Sequence, residues 1–338
     1  PWTGSYYYYL ARFGLSGVVE LVVSLVPAMA CSSSHVTMLP RSPNYIATVT
    51  EKDVVSHYLR KALPEMMVYR MARARNILLQ RTVYDLSMKK PAAVRRLLLS
   101  AVKKQVGPDV DMKHFEPKYN PWEERLCAVP KGDLFKVLRE GKASVVTDHI
   151  QTFTETGIQL KSGEHIKADI IITATGLDLQ FLGGAEVIVD GVKRNMGDEM
   201  MYKGLMLEGI PNLALIFGYT NSSWTLKADI ASEFVCRLLN HMKRIGAEKV
   251  VPVDADNNIS DLNFLNLHSG YVQRADDRLP RQGKKVPWKN LDNYLQDLPA
   301  LRDGNLNDGV LHFYRQGKQI IKMEKKNISK RLRSLLPV

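Results

Sequence analysis

The sequence predicts an α/β fold: a parallel sheet carrying an inserted β-meander and an inserted run of helices. Three observations carry that reading. The continuous apolar run 168–173 closes on the small residues Ala174, Thr175 and Gly176, the pattern of a strand buried on both faces of a parallel sheet. An apolar helical stretch, 18–30, is followed by a short strand, His35–Leu39, stopped by Pro40, and together these read as the second half of a βαβ unit. Residues 51–106 are rich in Leu, Met, Ala, Arg and Lys, with cations at near-helical spacing and breaks at Pro64 and Pro91, which predicts two or three amphipathic helices.

The remaining elements follow in order. Gly107-Pro108 ends the helical block, and an aromatic, proline-rich loop occupies 115–122. A helix is predicted over 133–140, and short β runs at 144–146, 150–154, 157–160 and 166 are punctuated by Glu155-Thr156-Gly157 and Ser162-Gly163, which makes them a meander. A strand at 213–217 leads through Gly218 to Ser223 into a helix whose apolar positions Leu226, Ile230, Phe234, Leu238 and Met242 recur about once per turn. Beyond Val253 the chain turns polar and rich in Asn and Asp, and the basic tail 318–333 reads as a loosely packed end.

Composition narrows the function classes. A length of 338 residues with 45% hydrophobic and 24% charged content suits two soluble domains. The net charge of +12 favours anionic partners but does not choose among nucleotide phosphates, acidic lipid head groups and nucleic acid. Cys31, Cys127 and Cys236 are dispersed and odd in number, which suggests a reducing, cytoplasmic setting and no structural metal. The apolar stretch 13–30 is about the length of a membrane span, yet Glu20 and Pro27 interrupt it and no basic segment precedes it, so both a span and a signal peptide are the weaker readings. The histidines form no Ser/His/Asp order or metal spacing, and no GxxxxGK[ST] loop is present, which removes hydrolase and kinase readings. The basic block has few aromatics, so nucleic acid is not expected as a partner, whereas peripheral attachment to a membrane through its helices stays open.

Four places could carry chemistry. Thr175 and Gly176 close a strand with a backbone free of bulky side chains, as a dinucleotide needs at the carboxyl end of a sheet, although an ordinary turn has the same look. Arg41 and Ser42 lie 24 residues beyond Gly17, close to where a dinucleotide fold reads the ribose. A guanidinium there suits the 2′-phosphate of NADPH, and a solvated loop arginine is the plain alternative. Asn221, Ser222 and Ser223 open a helix whose N–H groups could meet an anion or a cofactor carbonyl, or simply be capped. Arg125 follows Glu123 and Glu124, and by itself reads as a surface ion pair.

Taken together, "HVTMLPRSPNYI", "KHFEPKYNPWEERLCAVPKGDLF", "ADIIITATGLDLQ", "YKGLMLEGIPNLA" and "GYTNSSWTLKADIASEFVCRLLN" closely resemble, in the family's order, the flavin-dependent Baeyer–Villiger monooxygenases. The resemblance runs from about Leu25 to about Trp288. It implies FAD and NADPH as cofactors, with a flavin C4a-peroxide that attacks a ketone or oxidises a sulfide using molecular oxygen. It places Arg125 on the family's active-site arginine, Arg41 and Ser42 on the segment that reads the NADPH 2′-phosphate, and Thr175-Gly176 on the motif joining two nucleotide domains.

The sequence also departs from that family. It carries neither the GxGxxG turn for the FAD pyrophosphate nor an FxGxxxHxxxWP fingerprint, and in the second glycine turn Gly17 is followed by Val19 and Glu20 where the family has a glycine and a small residue. The fold implied is therefore an incomplete two-dinucleotide-binding flavoprotein: 1–24 a divergent remnant, 25–165 a Rossmann-like NADP domain with the helical insertion 51–106, 166–255 the C-terminal part of the FAD domain, and 256–338 an extension with its basic tail. Two functions stay open, an FAD- and NADPH-dependent monooxygenase or a non-catalytic basic, membrane-associated module. An incomplete first domain would expose apolar surface, which predicts self-association.

Overall fold

A computed structural model of the chain describes residues 12–17, 19–49, 53–124, 126–265, 267 and 269–320. They fall into two units, one reaching Asp178 and the other running on from Leu179, with residues 268–271 grouped with the first.

The first unit is organised round a βαβ step. Strand β1 (Arg12–Gly17) is followed by helix α1 (Val19–Ala30), and β2 (His35–Leu39) returns parallel to β1, with Phe13 opposite Val36 and Ser16 opposite Leu39. Within the segment 1–24, expected to be a remnant or divergent, residues 12–17 are a strand paired on both sides. The segment RFGLSG carries two strand-weakening glycines and no long apolar run, and only pairing on both sides makes it a strand. The apolar stretch 13–30 is thereby divided between strand and helix, and among the described residues no helix is long and apolar enough to cross a membrane.

From β2 the chain passes through β3 (Ile46–Val49), α2 (Val54–Leu59), α3 (Glu65–Lys89), α4 (Pro91–Val106), β4 (Cys127–Pro130) and α5 (Asp133–Arg139) before β5 (Ala143–Val145) rejoins the sheet parallel to β2. The three inserted helices end where the sequence places the breaks. Pro64 precedes α3, Pro91 is the first residue of α4, where its missing N–H is harmless, and Gly107 at φ +86° stops it. Asp53 caps α2 by accepting from the Ser56 N–H at 3.1 Å and pairs with Arg75 of α3. The hydrogen bond from Arg75 holds its carboxyl well below the usual range. The antiparallel meander of β6 (Ile150–Thr154), β7 (Gly157–Leu160) and β8 (His165–Lys167) then leads to β9 (Ile170–Ala174), parallel to β1. Gly157 is required at the meander: a Cβ there would lie 1.9 Å from the Ile166 carbonyl oxygen.

The four-stranded sheet runs β5-β2-β1-β9, all parallel. One core lies between sheet and helices, where Val22, Val26, Val36, Phe115, Leu134 and Phe135 are almost completely buried. Its spacing explains α1: Val22, Val26 and Ala30 recur every fourth residue and form one buried stripe. The expected double-sided burial of β9 is corrected, because its isoleucines are only half-buried. Among the described residues β9 is the last strand of this sheet, and an edge strand keeps one flank open. The two units part at 178/179.

In the second unit, two small hairpins, β10 (Val187–Val189) with β11 (Val192–Arg194) and β12 (Met201–Tyr202) with β13 (Met206–Leu207), precede the long helix α6 (Trp224–Ile245). Leu226, Ile230, Phe234, Leu238 and Met242 of α6 are all buried, as their spacing predicts. Gly246, at φ +67°, closes the helix. Then come β14 (Lys249–Pro252), β15 (Ile259–Asn263), α7 (Gly270–Gln273), β16 (Arg281–Gly283), α8 (Tyr294–Arg302), β17 (Leu311–Arg315) and β18 (Lys318–Gln319).

Two expectations change in this unit. The segment 213–217 joins no ladder among the described residues. Its Leu215 N–H donates to the Leu205 carbonyl at 2.7 Å, and Ile216 is exposed. The polar extension past Val253 is not peripheral, since Trp288, Leu301, Leu306, Leu311 and Phe313 complete the core around α6. These apolar residues are too widely and irregularly spaced to show a period, so only the folded chain gathers them. Of the basic tail, residues 321–338 lie outside the described residues.

Candidate functional site

The carboxyl ends of three adjacent strands gather most of the residues singled out in the sequence. Gly17 ends β1 opposite Ala174 of β9. Thr175 and Gly176 continue from β9, both exposed, with Gly176 at φ +98°. Arg41 and Ser42 follow β2 by two residues and are exposed as well. α1 starts two residues after Gly17, so its N-terminal end lies at this same edge. An open parallel sheet offers its ligand site at such an edge, where strand ends and helix N–H groups converge.

Electrostatics at the edge favour an anion at Arg41. Among the described residues no carboxylate pairs with that guanidinium. The acid that follows β5, Asp148, is already engaged. It accepts from the N–H groups of His149 at 2.6 Å and Ser162 at 3.1 Å, and a further hydrogen bond from the Ser162 side chain leads in holding its carboxyl below the usual range. Its own N–H donates to the Pro40 carbonyl at 3.2 Å, fixing the start of the Arg41 loop. Beside it, His114 Nδ1 lies 2.8 Å from the Thr147 hydroxyl, and burial, with Lys113 nearby, pushes this imidazole towards its neutral form. The sequence reading missed His114, Thr147 and Asp148. Lying 33 residues apart, His114 and Thr147 share no motif.

Arg125 lies outside the described residues, and so do the turn residue Val18 and the side chains of 12–17 and 19–21. The loop before Arg125 is nevertheless well defined. Trp122 stands at φ +73° against Tyr84, 6.2 Å between centroids, and Glu123 caps Asn120 by accepting from its N–H and its side-chain amide, each at 2.8 Å. Burial raises the Glu124 carboxyl, with Glu123 adding to the effect.

In the second unit, Gly218 to Ser223 run into α6. Gly218 packs under Trp224, and a Cβ there would lie 2.2 Å from the indole ring. Ser223 occupies the cap position but makes no capping bond, because its hydroxyl is 2.8 Å from that of Thr225. The Ser223 carbonyl accepts from the Leu226 N–H at 3.2 Å, so the first turn of α6 has a backbone bond to its cap residue and no side-chain one.

Cofactor fit differs from place to place. The free Arg41 suits a 2′-phosphate. The pyrophosphate end fits less well by sequence: Gly17 is followed by Val19 and Glu20, a β-branched residue and an acid, where the resemblance calls for a glycine and a small residue. No turn of the FAD pyrophosphate type occurs in the sequence.

The arrangement is the fold of two-dinucleotide-binding flavoprotein monooxygenases. An oxidised steroid monooxygenase bound to NADP superposes with a TM-score of 0.67 over 90% of this chain and 67% of its own, at 15% identity. Cyclohexanone monooxygenase in an open form superposes at 0.63 over 91% and 66%, also at 15% identity. By sequence the chain is similar, over the part it spans, to FAD-containing monooxygenases. It is 50% identical over 309 residues to "Probable FAD-binding monooxygenase AlmA" of an Acinetobacter species, covering 91% of this chain and 62% of that protein. It is 49% identical over 293 residues to the FAD-containing monooxygenase EthA of Mycobacterium tuberculosis, covering 86% and 60%. The chain thus spans about three fifths of the length of these relatives. No family model matches it.

Proposed function

We propose that this chain is part of an FAD- and NADPH-dependent monooxygenase that oxidises a small ketone or sulfide with molecular oxygen. The observation that carries the reading is the convergence of Gly17, Arg41, Ser42, Thr175 and Gly176 on one sheet edge, in a chain half identical to FAD-containing monooxygenases. In this reading the first unit binds NADPH and the second forms the FAD side. Bound NADPH and flavin would supply hydride and oxygen activation. Arg41 and Ser42 hold the 2′-phosphate, the first by paired charge-assisted hydrogen bonds. Arg125 is assigned as the catalytic residue, a permanently charged guanidinium that stabilises negative charge developing on the substrate oxygen without losing a proton.

An absorbance spectrum of the purified chain with added FAD, before and after NADPH, tests this. A flavin band near ~450 nm that NADPH bleaches supports the reading, and Arg125→Ala should then abolish oxygenation. If neither the chain nor a form extended to the relatives' length retains flavin, the reading is overturned.

A second proposal concerns location. Residues 53–106 hold twelve Lys and Arg against three Asp and Glu, nine of the chain's twelve net positive charges. Val54, Tyr58, Met66, Met67, Leu79 and Leu97 of the same helices are at least half exposed. Cations interleaved with bare apolar side chains suit the surface of an anionic bilayer. Cosedimentation with vesicles containing phosphatidylserine at low salt, lost at high salt, is expected. Protein that stays in the supernatant, or that elutes as oligomers buried on this face, overturns it.

A further inference from the structure

The Gly218–Ser223 loop rests on a network of partly or wholly buried charges drawn from a segment about seventy residues away. Lys227, in the first turn of α6, is 4% exposed and lies 2.8 Å from Asp297, in the first turn of α8 and 7% exposed. The Tyr219 hydroxyl donates to the same Asp297 oxygen at 2.8 Å, and the Lys227 ammonium stands 5.5 Å from the centre of the Tyr219 ring. On the other side, Asp292 accepts from the Thr220 N–H at 3.2 Å and from the Thr220 hydroxyl, and its carbonyl accepts from the Asn221 amide at 2.8 Å. Asp292 is itself placed by its N–H donating to Asn290 at 3.3 Å, while the Asn290 amide donates to the Phe264 carbonyl.

This arrangement does not serve helix stability. A lysine in the first turn faces the positive end of the α6 dipole, and burying it costs several kcal/mol of solvation that one carboxylate only partly offsets. Burial also pushes the Asp292 carboxyl up, so the loop is anchored to a group that is itself held at a cost. What the charges achieve is a fixed backbone: all three side chains and one backbone N–H of Tyr219–Asn221 are tied to Asp297 and Asp292, directly before a first turn of α6 that has no side-chain cap.

We propose that Asp292 and the Lys227–Asp297 pair are positioning residues that hold the Gly218–Ser223 loop so that the open first turn of α6 meets the flavin; the flavin part rests on the function proposed above. Two readouts on the whole chain separate the parts. Hydrogen exchange reads the loop directly, and FAD fluorescence quenching reads the cofactor. Asp292→Ala should speed exchange at 219–225 by about tenfold or more while 230–242 stays protected. Asp292→Asn keeps an acceptor for the Thr220 N–H and should restore most of the protection. Thr220→Val removes only the hydroxyl bond at nearly constant volume, and should give a smaller increase confined to the same amides even if Asp292→Ala folds poorly. The apparent FAD dissociation constant should rise in the same order. Unchanged loop exchange in both Asp292→Ala and Thr220→Val, or an equal rise along all of α6, overturns the positioning role. Loop exchange that responds as expected, where neither the chain nor a form extended to the relatives' length binds FAD, supports the positioning and overturns the flavin reading instead.

Discussion

The two places that could meet a nucleotide are built in opposite ways. At the sheet edge of the first unit, the groups that matter are strand ends, a helix start and an exposed arginine with no carboxylate partner among the described residues. At the head of α6, the loop is held by the Lys227–Asp297 ion pair and a second aspartate, Asp292. A site made by backbone geometry tolerates surface change but not a misplaced Cβ, whereas a site made by buried charges tolerates neither a lost partner nor a shift in protonation. Four expectations break or sharpen this contrast.

The largest effect belongs to the charge-built region. Lys227→Met leaves Asp297 buried without its cation and should cost about 3–5 kcal/mol in urea unfolding, while adding Asp297→Leu should recover most of it. A single variant within about 1 kcal/mol of wild type would show that the pair shapes nothing. The backbone-built region should respond instead to Gly157→Ala: with a Cβ 1.9 Å from the Ile166 carbonyl, the meander must open, at about 1–3 kcal/mol or more. Unchanged stability there would contradict the close approach.

Arg41→Ala should weaken NADPH binding about tenfold and leave NADH almost unaffected, because a charge-assisted bond to phosphate is lost. Equal weakening of both nucleotides, read by cofactor fluorescence, would place Arg41 elsewhere.

The smallest expected effect is on pH dependence, and its sign separates the regions. His114 has a folded pKa below its ordinary 6.5, chiefly through burial, so its contribution to stability is present above 6.5 and lost as pH falls through the folded value. Asp292 is raised above its ordinary 3.8, again chiefly by burial, so its contribution is present below 3.8 and lost as pH rises through the folded value. In urea midpoints from pH 4 to pH 7, His114→Gln should therefore flatten the acid side of the profile, and Asp292→Asn should flatten the loss on rising pH. Profiles that superimpose on wild type would remove both groups from the balance.

The sequence by itself determined a good deal. The βαβ helix and its return strand, the inserted helices with their proline and glycine stops, the meander, and the buried stripe of α6 are all local patterns with a period of two or about four residues. Arg41, Ser42, Thr175 and Gly176 were legible for the same reason, since each sits at the end of a readable strand. Only the tertiary structure decided that RFGLSG is a central strand, that β9 lies at the sheet edge, and that 213–217 pairs with no strand among the described residues. The same holds for Asp292 and Asp297, which stand about seventy residues beyond the loop they hold, in a stretch that reads as polar extension. Pairing, edges and buried charge partners depend on which segments become neighbours, and no local period in the chain encodes that.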